Sequence, residues 1–118
     1  MSNPSKRKGT EAERKVVEYL QAQGFTGAER RALAGANDKG DIAGIPDWVI
    51  EVKNHATLDL AGWLNELMRE RDNAGAYYGA VVAKRRGHGD PAEWYAVMPF
   101  STLVTLIWAT VLSPDTDN

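Results

Sequence analysis

The sequence predicts a single α/β domain in which helices flank a central mixed β-sheet. Segments with the helical spacing of apolar residues alternate with short runs of β-branched and aromatic residues, and there is no internal repeat. The size agrees, because 118 residues with 43 % apolar content supply one hydrophobic core and not two. We assign residues 10–112 to this domain, with a flexible basic arm over 1–9 and a polar tail over 113–118.

The first helix is predicted to begin at Thr10, whose hydroxyl suits a helix N-cap, with Glu13 completing a capping box. Val16 and Leu20 mark its apolar side, and Gly24 ends the run. Glu13 could instead belong to a functional site, so two roles compete for this residue.

Strands and turns follow the first helix. In order, we expect a short strand within 25–33, a loop at 35–40, a strand at 41–43, a turn at 44–47 and a strand at 48–53. The last strand is the clearest in the chain, because β-branched and aromatic residues dominate it.

The second half alternates helix and strand again. In order, we expect a helix at 58–71, a strand at 77–84, a basic loop at 85–91, a strand at 93–98 and a helix at 102–112. The last helix is far shorter than the ~20 residues that span a bilayer, so it is interpreted as a buried or interface helix.

Composition excludes several classes of site. Cysteine is absent, which removes disulfides, thiolate zinc sites and cysteine nucleophiles. His55 and His88 are not spaced as a metal-binding pair, and both are interpreted as surface residues. The polar and basic start lacks the apolar stretch of a secretory signal, so we expect a soluble, cytoplasmic protein.

The charge distribution is more informative than the net charge of −2. Basic residues cluster at 6–8, 14–15, 30–31 and 84–86. Carboxylates surrounded by basic patches would suit metal-dependent cleavage of a polyanion. For any one cluster taken alone, an ordinary solvated surface is the better interpretation.

Asp41 and the triplet 51–53 form the most informative constellation. Alternate strand residues share a face, so Glu51 and Lys53 point the same way. If the turn at 44–47 folds the two strands into a hairpin, Asp41 lies across from Glu51. Carboxylate oxygens and the carbonyl of Val52 could then bind Mg²⁺, and the lysine could orient water or neutralise charge in a transition state. A surface salt-bridge cluster is the simpler alternative for each residue taken singly.

These residues resemble the PD-(D/E)xK nuclease superfamily, in which an acid near a hairpin turn precedes an acid-x-lysine triplet. Within it, the helix start at 7–14, Arg30 or Arg31, Asp41 and the strand end at 50–53 are similar to those of archaeal-type Holliday-junction resolvases. The resemblance implies a restriction-endonuclease-like core and a Mg²⁺-dependent endonuclease, with Mn²⁺ as a substitute. It also implies a homodimer that cuts branched DNA in recombination or repair.

The resemblance implies roles for individual residues as well. The implied catalytic residues are Glu13, Asp41, Glu51 and Lys53, and the implied metal ligands are Glu13, Asp41, Glu51 and the carbonyl of Val52. Arg14 would contact a phosphate, as would the basic residues Lys8, Arg30, Arg31, Lys84, Arg85 and Arg86. Asp38 and Asp47 are rival metal acids that we interpret as structural.

Two other functions remain open at this stage. One is a nuclease of the same superfamily with another substrate, such as a restriction-type, mismatch, flap or DNA-end processing enzyme. The other is a catalytically silent DNA-binding domain. Either the helix at 58–71, with Trp63 and Met68, or the helix at 102–112 could form an isologous dimer interface.

Overall fold

The computed structural model describes residues 3–32 and 37–114. Within these ranges the structure has three helices and five strands, which confirms the predicted α/β domain with a mixed sheet. They are α1 Pro4–Ala22, β1 Glu29–Arg30, β2 Ile42–Ala43, β3 Trp48–Lys53, α2 Leu60–Ala74, β4 Tyr78–Ala83, β5 Tyr95–Val97 and α3 Phe100–Val111. A 3-10 turn, Pro91–Glu93, precedes β5.

The five strands lie in the sheet in their order along the chain. Strands β3 and β4 are parallel and are joined by the crossover helix α2, whereas the other neighbouring pairs are antiparallel. Ile42 pairs with Ile50 across β2 and β3, so the expected hairpin is confirmed. This register places Asp41 opposite Glu51.

Each face of the sheet is covered by one helix. On the first face, Ala12 and Val16 of α1 pack against Ile50 and Val52 of β3. On the second face, Trp63 and Leu67 of α2 belong to a separate core cluster with residues of β3 and β4. Strand β3 is therefore buried on both faces, and any charged side chain on it must find partners inside the protein.

Helix α1 begins six residues earlier than the sequence predicts. The side chain of Asn3 caps it by accepting a hydrogen bond of 2.8 Å from the backbone N–H of Ser5. Pro4 then occupies the first turn, where a missing N–H costs nothing. The predicted start at Thr10 and the capping-box role of Glu13 are therefore wrong, and residues 4–9 are helical where a flexible arm was expected.

The remaining elements differ from prediction mainly at their ends. Helix α2 begins after Asp59, whose carboxylate accepts from Gly62, and it ends at Gly75 in the left-handed conformation. The first strand is reduced to two residues, and its predicted end at Leu33 lies outside the described residues. The same holds for the loop residues 35–36 and for the tail beyond residue 114.

Helix α3 is exposed along most of its length. Thr102 is its one buried residue, whereas large apolar side chains such as Phe100, Trp108 and Val111 are between 52 % and 76 % exposed. Burial of this helix within the chain, one of the two expectations, is therefore wrong. Across the described ranges, no helix has the length and hydropathy required to span a membrane.

Candidate metal centre

Asp41 is fixed at the point where β2 and β3 meet. Its backbone N–H donates to the carbonyl of Ile50 over 2.9 Å, and its carboxylate Oδ2 accepts from the N–H of Val52 over 2.7 Å. Gly40, just before it, has a φ of 98°, and a Cβ there would lie 2.8 Å from Cγ1 of Val49. Because of this φ and this close contact, the position requires a glycine, which lets the chain bring Asp41 next to β3.

Glu51 and Lys53 lie on the face of β3 that α2 covers. Glu51 is only 4 % exposed. The Lys53 ammonium lies 3.4 Å from Oε2 of Glu51 and 2.7 Å from Oε1 of Glu66 on α2. The surface salt-bridge alternative is thus excluded for Glu51, because this carboxylate is buried.

Helix α2 supplies a further buried carboxylate that the sequence analysis missed. Glu70 is 2 % exposed and lies with Asp38 and Glu51 so that one oxygen of each falls within 4.8 Å of the others. Asp38 also accepts from the N–H of Gly40 over 2.8 Å, which is the turn role expected for it. Asp38 therefore belongs to the cluster as well as to the turn.

The sequence did carry a signal for Glu70. It follows Trp63 by seven residues and Leu67 by three, which places it on the apolar stripe of α2. A carboxylate at an apolar position of a helix indicates either a buried partner or a site.

The protonation equilibria of these carboxyl groups are strongly shifted. Burial is the main cause, and it raises the pKa of Asp41 to about 6 and that of Glu70 to about 7. Burial, with the charges of Asp41 and Glu70, raises the pKa of Glu51 further still. Glu51 lies within hydrogen-bonding reach of both neighbours, so a proton on it would be shared among the three groups.

The pKa of Lys53 is raised, whereas burial alone would lower the pKa of a lysine. Burial lowers its pKa, but the hydrogen bonds and charges of Glu66 and Glu51 outweigh that effect, and the pKa lies above its ordinary value. Lys53 is therefore a cation at neutral pH.

Asp38, Asp41, Glu51, Lys53 and Glu70 together are called the centre below. Its oxygen atoms suit a hard divalent cation. Among the described residues, no N–H or O–H group donates to Oε1 of Glu51 or to either carboxylate oxygen of Glu70. A proton shared between carboxyl groups, or a cation, could satisfy such buried oxygens. All the offered ligands are oxygens, which favours Mg²⁺, Mn²⁺ or Ca²⁺ over softer metals.

Glu13 lies beside the centre but has its own partner. Its Oε1 forms an ion pair of 2.9 Å with Nε of Arg30. Glu13 lines two clefts together with Asp41, and its negative charge contributes to the raised pKa of Asp41. Neither Glu13 nor Asp41 is a member of the 4.8 Å carboxylate cluster.

Three clefts meet around the centre and carry much of the basic surface. A cleft of about 400 Å³ holds Asp41, Glu51, Val52 and Lys53. It shares Lys8 and His55 with a second cleft of about 420 Å³, which Lys84 and Arg86 also line. A third cleft of about 460 Å³ contains Asp41, Arg30 and Arg31 together with Lys6 of α1. The helical start of α1 thus places basic residues at the rim of the centre.

The remaining residues considered in the sequence analysis lie at or beyond the edge of the centre. Arg14 lines none of the three clefts, and the guanidinium of Arg85 lies 5.9 Å from the centre of the Tyr95 ring. Asp47 is an exposed turn residue with a φ of 68°, in agreement with its structural interpretation. His88 contacts Glu93, whereas the exposed His55 lies at the edge of the centre.

Comparison of the chain with protein-family models, with curated proteins and with solved structures finds no match.

Proposed function

We propose that the protein is a metal-dependent, structure-selective DNA endonuclease with a restriction-endonuclease-like core. The observation that supports this most strongly is the position of Asp41 and Glu51 beside Lys53, in a cleft flanked by basic residues. These are the residues that the sequence resemblance implies for the nuclease site. Their convergence needs the hairpin of β2 and β3, and the structure contains it.

The carboxylates would hold the cation, and the backbone of β3 would position them. Asp41, Glu51 and the Val52 carbonyl are the expected ligands, all of them residues of the same cleft. When bound, a divalent cation would acidify an attacking water and neutralise charge on the scissile phosphate. The hydrogen bond from Val52 N–H holds the Asp41 carboxylate in place before any ligand arrives.

Lys53 would act as a charged donor to the phosphate or to the attacking water. Its raised pKa keeps the proton on Nζ, so the group stabilises negative charge and does not serve as a general base. Glu66 anchors the ammonium at 2.7 Å, which fixes its direction over Glu51.

Basic residues on both sides of the centre would position DNA through its phosphates. Lys8 belongs to α1 and is held in a helix, and Lys84 and Arg86 follow β4 in the adjoining cleft. Arg31 lines the cleft on the other side of Asp41. A strand of nucleic acid crossing these clefts would pass directly over the carboxylates.

A homodimer would form through α3. Its apolar stripe follows the helical spacing and stays exposed: Phe100, Leu103, Val104, Ile107, Trp108 and Val111. The helix contains no charged residue, so two copies can pack across a two-fold axis without opposing like charges. Two copies would also provide the two centres that symmetric cleavage of a junction needs.

Cleavage of a labelled four-way DNA junction tests the proposal. Matched linear duplex, flap and single-stranded DNA serve as controls, each with and without Mg²⁺, for the wild type and for Glu51→Ala. Paired cuts in the junction alone, absent without Mg²⁺ and in the variant, are expected. Metal-dependent cutting of another substrate would assign a different nuclease function, and binding without cutting would indicate a silent DNA-binding domain.

A further inference from the structure

Glu70 is a buried acid for which the proposed nuclease chemistry has no role. Glu70 is only 2 % exposed, yet in the described part of the chain no N–H group or hydroxyl reaches either of its oxygens, and only a proton on the neighbouring Glu51 carboxyl group could donate to it. Leaving a buried carboxylate without a hydrogen bond is among the most costly arrangements in a protein interior. A group in this position points to a missing partner.

The other acids around Glu70 favour a positively charged partner. Asp38 and Glu51 each bring an oxygen within the same 4.8 Å cluster, and Oε1 of Glu51 also lacks a donor. The lysine of the centre does not fill the gap, because its ammonium is engaged by Glu66 at 2.7 Å.

The size of the cluster matches the coordination sphere of a hard cation. Oxygen ligands lie about 2.1 Å from Mg²⁺ and about 2.4 Å from Ca²⁺, so ligands on opposite sides are roughly 4–5 Å apart. Oxygens within 4.8 Å of one another can therefore bind one ion with little movement.

We propose that Asp38, Glu51 and Glu70 hold a divalent cation on the α2 side of Glu51, separate from the position of Asp41 and the Val52 carbonyl. Glu51 then faces two cations, one on each side of its carboxylate. The proposal deepens the proposed nuclease function, because the role of the second ion rests on that function. The binding of the second ion does not depend on it.

A side-chain hydrogen bond and close packing of α2 accompany the two other ligands of the second position. Asn73 of α2 donates to the backbone carbonyl of Asp38 over 2.9 Å, which ties the loop residue to the helix that carries Glu70. Gly79 of β4 lies close to α2, since a Cβ there would be 3.0 Å from Leu67 and 3.2 Å from Arg71. The first contact joins Asp38 to the helix that carries Glu70, and the second shows how closely that helix packs on the sheet.

Manganese binding without DNA tests this inference. We would titrate Mn²⁺ into the full chain and count bound ions from the electron paramagnetic resonance signal of free Mn²⁺. Wild type, Glu70→Gln, Asp41→Asn and the surface control Glu18→Gln would be compared. We expect two ions in the wild type and in the control, and one in each of the other variants, with the lost site weakened about tenfold or more.

Unchanged Mn²⁺ binding by Glu70→Gln would overturn the proposal. A raised thermal midpoint in metal-free Glu70→Gln, together with that result, would identify a shared proton as the partner, because the amide can donate to Glu51. Loss of all ions in both variants would show a single site, which also contradicts the proposal. If circular dichroism shows that Glu70→Gln does not fold, Asp38→Asn replaces it, since Asp38 is only half-buried. The number of Mn²⁺ ions that Asp38→Asn binds then tests the proposal.

The two proposals fail separately. If Glu70→Gln loses one ion while the wild type cuts no DNA, the cation position stands and the nuclease function falls. If the wild type cuts DNA with Mg²⁺ and Glu70→Gln binds as many ions as the wild type, the nuclease function is supported and the second cation position is refuted.

Discussion

At the scale of single residues, the shifted carboxyl groups make the stability of the protein depend on pH. The pKa of Asp41 rises from 3.8 to about 6 and that of Glu70 from 4.5 to about 7, mainly through burial. A raised acid pKa means that the folded state binds more protons than the unfolded state between these values. Their contribution to stability is therefore full below about pH 4 and is lost as the pH rises through 6 and 7.

Metal-free protein is accordingly expected to unfold at a lower temperature at about pH 8 than at about pH 5. The difference should reach a few degrees, since roughly 1 kcal/mol moves the midpoint of a domain of this size by about 4 °C. Saturating Mg²⁺ should raise the midpoint mainly at the higher pH, because protons compete with the cation for the same oxygens. Differential scanning calorimetry in a chelating buffer and then in Mg²⁺ measures both effects. A midpoint that rises with pH in the absence of metal would contradict this assignment of the carboxyl groups.

Lys53 and Glu66 allow the role of the ammonium to be separated from metal binding. Lys53→Ala should lower the cleavage rate by about 10²-fold or more, because a charge-stabilising donor is lost. Mn²⁺ binding should persist, since the carboxylates stay. Glu66→Gln keeps a hydrogen-bond acceptor beside the ammonium and should have a much smaller effect. Equal loss of activity in the two variants would show that the ion pair, and not the ammonium, matters.

The residues that the sequence could identify are those whose pattern is local. Glu51 and Lys53 lie on one strand and Asp41 directly precedes the strand paired with it, so period and turn chemistry predicted that they meet, whereas the roles proposed for them come from the family resemblance. Glu70 comes from a helix that a crossover places over β3. Its place on the apolar stripe of α2 indicated burial, but its proximity to Glu51 depends on how α2 packs on the sheet, which no local pattern encodes.

At the scale of elements, the hairpin of β2 and β3 depends on close backbone contact. Gly44 has a φ of 91°, and a Cβ at this residue would collide with the carbonyl of Gly27. Gly44→Ala should therefore destabilise the fold by about 1 kcal/mol or more. Gly9→Ala is the control, because nothing lies within 4 Å of its added Cβ and a helix prefers alanine by about 1 kcal/mol. Urea unfolding of both variants tests this, and equal stability would contradict the close-contact account.

The start of α1 shows where reasoning about elements from sequence fails. Thr10 with Glu13 is a fair capping box, but Asn3 with Pro4 forms a stronger start further upstream. Both signals are present in the sequence, and local propensity does not rank them. The result bears on the proposed function, because the earlier start places Lys6 and Lys8 of α1 in the walls of clefts that also contain Asp41.

At the scale of the whole molecule, α3 dominates the exposed apolar surface. A stripe of this kind on a helix without charges favours association. We expect a dimer by size-exclusion chromatography with light scattering, and a monomer for Ile107→Glu. Thr105→Glu is the matched control, since Thr105 lies to the side of the stripe and its hydroxyl donates to the carbonyl of Ser101 over 3.0 Å. A wild-type monomer at micromolar concentration would rule out this interface.

Phosphodiester cleavage by paired aspartate variants tests the central claim most directly. Asp41→Asn removes one carboxylate charge from the centre, and Asp47→Asn makes the same chemical change at an exposed turn. With Mg²⁺ and a labelled DNA junction, we expect the wild type and Asp47→Asn to cut at similar rates and Asp41→Asn to be inactive while remaining folded. Equal cutting by both variants, or cutting by the wild type in the presence of a chelator, would contradict a metal-dependent nuclease centre built on Asp41 and Glu51.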